Sequence, residues 1–298
     1  MFKCMRIVIV LFVFLFAQCV FAGPAEDVKA KKKDKFEITL KKLLPLAKKG
    51  DAEAQLKLGE AYYGASYDLT EPKYCKEAFD WVRKSAEQGN GQAMAQLGDM
   101  YQYEEVDCPK DKKLSIYWND KAVSHFTKLA KQGQVDAMTR LGQMYWQEGG
   151  GMNDREKAIY WYRKAANLGY AVAQSSLAGI YDAQGMYDVP EEDLVKAAYW
   201  YRKAALQGDA RAEYELALLY ANGSSGIAKD YVRAARLFRQ AADQGHTWAP
   251  YFLGVMYING DGVEKDEVQA AHWLRKSMES VHPHPNAKIE LDKLAHKK

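Results

Sequence analysis

The sequence predicts an all-α fold, a solenoid of about six helix-turn-helix repeats with N- and C-terminal capping helices. Three observations predict it. Aligned on Gly50, Gly89, Gly133, Gly169, Gly208 and Gly245, the chain carries Ala54, Ala93, Ala137, Ala173, Ala212 and Ala249 four residues on. Eight residues on stand Leu58, Leu97, Leu141, Leu177, Leu216 and Leu253, and twelve on stand Tyr62, Tyr101, Tyr145, Tyr181, Tyr220 and Tyr257. Steps of four keep these side chains near one face of a first helix, as a buried stripe requires. Second, another helical segment ends at most of these glycines, plainest in AIYWYRKAANLG (158–169) and AAYWYRKAALQG (197–208). Third, the glycine spacings are 39, 44, 36, 39 and 37 residues, and nearly all the variation falls between the two segments. Fixed cores with free loops are what stacked units need.

Taken in order, residues 1–22 read as a secretory signal. Lys3 and Arg6 form a basic start, Ile7 to Ala17 is apolar, and Val20-Phe21-Ala22 offers a cleavage site before Gly23. The apolar run is shorter than the ~20 residues of a spanning helix, so no membrane span is expected once the signal is removed. Residues 23–35 are expected to be a basic linker, a solvated tether rich in lysine. Phe36 to Lys49, with Leu40, Leu43, Leu44 and Leu46, reads as an N-terminal cap that Pro45 should kink or interrupt. The domain then spans 36–298, with repeats near 47–86, 87–130, 131–166, 167–205, 206–242 and 243–280. In the second repeat the second helix is read, degraded, at AVSHFTKLAKQG (122–133). Residues 286–296, with Ile289, Leu291 and Leu294, are expected to close the last repeat.

The segment GHTWAPYFLGVMYINGDGVEKDEVQAAHWLRKS (245–277), with Leu253-Gly254, Tyr257, Gly260-Asp261-Gly262-Val263, Asp266, Ala270 and Trp273, resembles the SEL-one-like repeat family, relatives of the tetratricopeptide repeats. The resemblance covers roughly residues 47–280 and recurs six times. It implies a right-handed superhelix whose first helices line a concave groove. It also implies a range of roles, since some exported members act as immunity proteins against a secreted lipase effector and others bind host proteins such as antibodies. Fold alone chooses none of these.

If the alanine, leucine and tyrosine rows face the core, positions three, seven and ten after each glycine face the groove. These are Glu53, Lys57, Glu60; Gln92, Gln96, Asp99; Asp136, Arg140, Gln143; Val172, Ser176, Gly179; Arg211, Glu215, Leu218; and Trp248, Phe252, Val255. The row runs from charged and amide-rich to apolar and aromatic. Arg140, Gln143 and Gln96 are expected to give polar specificity. Trp248, Tyr251, Phe252 and Val255 are expected to lie under the cap of Ile289, Leu291 and Leu294, the alternative being an open anchor for a partner. The repeated pairs Arg83-Lys84, Arg163-Lys164, Arg202-Lys203 and Arg275-Lys276 are expected on the convex face, their stems packed between repeats.

Charge argues against nucleic acid as partner, because removing residues 1–22 lowers the formal net charge from +3 to +1. No HExxH, P-loop, nucleophile-elbow, dinucleotide-binding or SxxK motif occurs, so no catalytic residue, cofactor or metal site is nominated. His282 and His284 flank a proline and read as a plain loop. Cys75 and Cys108 stay with the mature chain, each in the connection of its repeat, and are expected to pair in an oxidising compartment, the alternative being two separate thiols. The expected protein is therefore a periplasmic or secreted non-enzymatic scaffold that binds a protein partner. The alternative is an enzyme or cell-wall ligand binder using the insertions Tyr103–Lys113 and Tyr181–Asp193.

Overall fold

The computed structural model describes residues 24–68, 73–102, 110–146, 154–182, 191–223, 226–280 and 283–296. The expected signal, Cys108, His282 and most of both insertions lie outside them. Among the described residues run α1 (Pro24–Lys48), α2 (Ala52–Asp68), α3 (Lys73–Glu87), α4 (Gly91–Met100), α5 (Lys112–Lys131), α6 (Val135–Trp146) and α7 (Arg155–Asn167). They continue as α8 (Ala171–Tyr181), α9 (Glu191–Ala205), α10 (Ala210–Asn222), α11 (Tyr231–Asp243), α12 (Ala249–Asn259), α13 (Glu267–Met278) and α14 (Ala287–Ala295). This is an all-α solenoid of six helix pairs, in two compact units. The first holds α1 to α4 and α5 as far as Phe126, and the second holds the rest of α5 and α6 to α14.

Helix boundaries follow from two residues at each turn. Gly169 ends α7 with φ +89°, a left-handed conformation, and a side chain there would meet nothing within 4 Å, so glycine is required by the backbone and not by space. The next residues restart the chain as a helix. Asp51, Asn90 and Asp209 accept the backbone N–H of Ala54, Ala93 and Ala212 at 2.7, 3.1 and 2.8 Å. Asp154, Asp230 and Asp266 cap the second helices in the same way.

Within each unit consecutive helices pack through the predicted stripes. Leu58, Leu97, Leu141, Leu177 and Leu253 are wholly buried, and the alanine row is at most 4 % exposed. The small residue after each leucine lets the second helix close in. A Cβ on Gly142 would lie 2.7 Å from the ring of Tyr162, the residue after Trp161. Gly59 meets Val82, Gly98 meets Asn119 and Gly254 meets Leu274 in the same way.

That contact corrects the second repeat. Asn119 follows Trp118 as Tyr162 follows Trp161, so the second-helix motif is IYWNDKAV (116–123), not the stretch 122–133. Tyr117 and Trp118 make the edge-to-face pair that Tyr160–Trp161 and Tyr199–Trp200 make, with centroids 5.2, 5.0 and 5.0 Å apart. Lys121, Lys164 and Lys203 sit over those pairs alike. The helix then runs on to Lys131, an extension inside α5 that alignment on Gly133 conceals.

Three arginines of the second helices join neighbouring repeats. Arg163 donates to the hydroxyl of Tyr181 at 2.6 Å and Arg202 to that of Tyr220 at 3.3 Å, each eighteen residues on, and Arg239 reaches Tyr257 likewise. Glutamines add a second rung, Gln88 to Gln55 and Gln207 to Gln174, at 2.7 and 2.8 Å.

The N-terminal end also differs from expectation. Residues 24–48 form one helix that passes through Pro45, so the stretch expected as a linker is helical, with Lys31, Lys32, Lys33 and Lys35 exposed. The amide that Pro45 lacks would have bonded Lys41, an exposed residue, and Pro45 stands about one turn from the helix end. Phe36 packs edge-on to Tyr62 at 5.4 Å and against Tyr74 at 5.2 Å, which anchors the helix well before the proline.

Gly169→Ala is expected to cost about 1 kcal/mol, through backbone strain alone. Gly142→Ala should cost about 1–3 kcal/mol, through overpacking. Only the second should be partly relieved by Tyr162→Ala, and urea unfolding of the single and double variants would show that coupling.

Candidate functional site

The face built by positions three, seven and ten of the first helices is exposed or half-buried in every repeat, beside the buried alanine and leucine rows. In the first unit Glu53, Lys57 and Glu60 are exposed on α2, with Glu53 and Lys57 paired at 3.2 Å. Gln92 is exposed on α4, whereas Gln96 and Asp99 are half-buried. Burial raises the Asp99 carboxyl to about 6.

The second unit makes its polar positions interact. On α6, Arg140 donates to the side-chain oxygen of Gln143 at 3.1 Å, and Asp136 accepts from the hydroxyl of Tyr170 at 2.6 Å. Residues of the second helices also reach this face, which the sequence reading missed. Tyr162, packed on Gly142, lies beside Ser176 on α8, and burial pushes its hydroxyl up. Tyr201 is the same position one repeat on and is 2 % exposed. Phe238 is the next, and it stacks on Phe252 at 5.3 Å with the rings 10° apart. At Tyr162, Tyr201 and Phe238 the residue after the second-helix Trp or Leu therefore meets position seven of the following repeat.

Around Tyr201 lie Glu215 and Arg211 from α10 and Asp182 from the end of α8. Burial raises the Asp182 carboxyl to about 6, and the nearby Glu215 pushes it in the same direction. Burial also raises Glu215, and Arg211 partly offsets that. Asp182 stands thirteen residues after its glycine, outside the nominated rows.

At the C-terminal end the expected cover is different in kind. Ile289 is 52 % exposed, and Leu291 and Leu294 line a cleft against Val268, Ala271 and Arg275 of α13. It is His284 that stacks on Tyr251, at 3.6 Å with the rings 9° apart, and meets Trp248 and Phe252 edge-on. Trp248 stays 47 % exposed, whereas Phe252 is half-buried among Tyr214, Phe238 and His284. His246 stacks on Tyr214 at 4.2 Å and accepts the Ala249 N–H through Nδ1, so it caps α12. Burial lowers the pKa of both histidines, with Arg211 adding to the effect at His246.

Cys75 is buried on α3 against the first unit's core, and Cys108, its expected partner, lies outside the described residues. No group of three or more His, Cys, Asp or Glu is placed to hold a metal among the described residues. No helix among them is long and apolar enough to cross a membrane.

Comparison with known proteins agrees with this architecture. No curated protein matches the sequence. Among solved structures, the chain is similar to a protective antigen of uropathogenic Escherichia coli displaying an SLR fold, at 27% identity and TM-score 0.53, over 87% of this chain and 56% of that one. The chain thus spans little more than half the length of that antigen. A Sel1 repeat protein from Oxalobacter formigenes is similar at 25% identity and TM-score 0.50, over 95% of this chain and 90% of that one. An immunity protein from Pseudomonas aeruginosa shows 18% identity and TM-score 0.43, over 77% and 86%. Sel1 repeats are matched at residues 52–90, 91–118, 135–170, 171–209, 210–246 and 249–280, the second match ending at Trp118, where α5 departs from the repeat. With six copies covering well over half of its length, the chain belongs to the Sel1 repeat family.

Proposed function

We propose that this protein is an exported scaffold, periplasmic or secreted, that holds one protein partner against the open face of its first helices. One observation carries the reading. Positions three, seven and ten are exposed or half-buried in all six repeats and change in chemistry from repeat to repeat, while the alanine and leucine rows beside them are buried and constant. A surface that varies on an invariant frame suits recognition of a particular partner, with affinity concentrated in a few anchors such as Trp248. Export rests on residues 1–22, and a Cys75–Cys108 bridge belongs to the same proposal. Neutralising a secreted effector and binding a host protein are two forms such a scaffold takes.

Mature protein, residues 23–298, is expected to retain one abundant partner from periplasmic or culture extracts. Gln96→Lys, Arg140→Glu and Gln143→Lys together should lower the affinity for the purified partner at least about tenfold, from loss of one or two charge-assisted contacts. Equal retention by the variant would overturn the reading, and the partner's identity would separate effector from host protein. A thiol titration of the unfolded, unreduced mature protein should find no free cysteine.

The half-buried acids of this face give a second measurable. Asp99 and Asp182 bind protons more tightly in the fold than in the unfolded chain, where an aspartate titrates near ~4. Each contributes most to stability below that value, and the contribution is lost as pH rises through about 6. Asp99→Asn and Asp182→Asn should therefore be more stable than the parent at pH 8 by urea unfolding, with the gain shrinking towards pH 4.

A further inference from the structure

We infer that Tyr201, Asp182 and Glu215, in the second unit, form a pocket for a single basic side chain, arginine or lysine, of the protein partner, an inference that rests on the scaffold reading above. The repeat supplies its own control. One repeat later, the same step brings Phe238 and Phe252 together, stacked at 5.3 Å. At the equivalent step the residue facing Tyr201 is Glu215, and no hydrogen bond to Tyr201 is present among the described residues. A tyrosine 2 % exposed thus brings an unpartnered hydroxyl to this face.

Space and charge decide what it receives. Gly179 puts no side chain there: a Cβ on it would touch the Tyr201 hydroxyl at 3.6 Å and Nη2 of Arg211 at 3.7 Å. Asp182 and Glu215 are both half-buried, and neither is in an ion pair among the described residues. Burial raises both carboxyls, and Glu215 pushes Asp182 further in the same direction. Arg211 is exposed and faces Glu215, so the local balance is two carboxylates to one guanidinium. Asp209 is already engaged, capping α10 and accepting from Ser175. An incoming anion would meet two carboxylates at short range. An incoming guanidinium or ammonium would relieve their repulsion and donate to the phenol oxygen as well as to the carboxylates.

The test uses mature protein and three capped tripeptide amides, Ala-Arg-Ala, Ala-Lys-Ala and Ala-Glu-Ala, followed through the Tyr201 ring signals in NMR. The Arg and Lys peptides should shift Tyr201 saturably with Kd on the order of millimolar, as one buried charge contact allows. The Glu peptide should not. Asp182→Asn with Glu215→Gln should weaken the Arg peptide at least about tenfold while the thermal melt shows an intact fold, and Tyr201→Phe should weaken it less. No saturable shift with either basic peptide, equal binding by the double variant, or preference for the Glu peptide would overturn the pocket. The scaffold reading is judged separately. If the double variant holds the captured partner undiminished while the Gln96, Arg140 and Gln143 variant loses it, the pocket falls and the scaffold stands. If neither captures a partner, the scaffold falls and the peptides alone decide the pocket.

Discussion

The rest of the structure depends on how closely the second helix of a repeat approaches the first. Gly142 admits the ring of Tyr162 to a distance at which any side chain would collide, and Gly59, Gly98 and Gly254 do the same for Val82, Asn119 and Leu274. Close packing of this sort is unforgiving, because interiors are filled to near-crystalline density. The consequence reaches the surface. A long residue in that position, seated so deep, projects its far end past the core and onto the open face, where it meets position seven of the next repeat. The floor of the face is thus made of pairs: tyrosine with serine at Tyr162–Ser176, tyrosine with glutamate at Tyr201–Glu215, phenylalanine with phenylalanine at Phe238–Phe252.

The frame consumes most of the repeated polar residues. Arg163 and Arg202 give a hydrogen bond to a tyrosine of the following repeat, and Lys164 and Lys203 lie over an aromatic pair. Such contacts stabilise by about 0.5–1.5 kcal/mol each, and they recur, so they set how repeats join without distinguishing one repeat from another. Arg140 and Arg211 are of another kind. They occur once each, on first helices, beside Gln143 and Glu215, and no second repeat copies either arrangement.

How much of this was legible in the sequence follows from which residues repeat. The alanine and leucine rows and the turn glycines are constrained identically six times, so their positions could be read directly, and the structure places them as read, whereas Tyr62 and Tyr145 of the tyrosine row are only half-buried. The second repeat was misread because its glycine was trusted over its helix. Trp118 corresponds to Trp161, but Gly133 lies seven residues, about two helical turns, beyond the matching point. The pair Tyr117-Trp118 with Lys121 was the available signal. Pro45 does not interrupt its helix, since proline's cost is local and Phe36, Leu40 and Ala47 pack the helix on both sides of it. Tyr162 and Tyr201 were missed because they sit on second helices, which had been assigned wholly to scaffold. Their position reads Val82, Asn119, Tyr162, Tyr201, Phe238 and Leu274 down the chain, and the variation itself marked them.

The C-terminal end shows the same logic with different chemistry. Phe238 and Phe252 have no polar end to present, so their stack extends the core outward and leaves an apolar surface that the next element must cover. Helix α14 does not supply the cover. It packs along α13, and the loop before it brings His284 onto Tyr251. A histidine can do this because its ring stacks like an aromatic while Nδ1 accepts the N–H of Asn286, which holds the loop in place. The arrangement requires the neutral ring, consistent with burial lowering its pKa. Trp248, beside it, keeps nearly half its surface in solvent. The aromatic end of the face is therefore neither sealed nor fully open, and what remains accessible is one large anchor at the edge of a packed cluster.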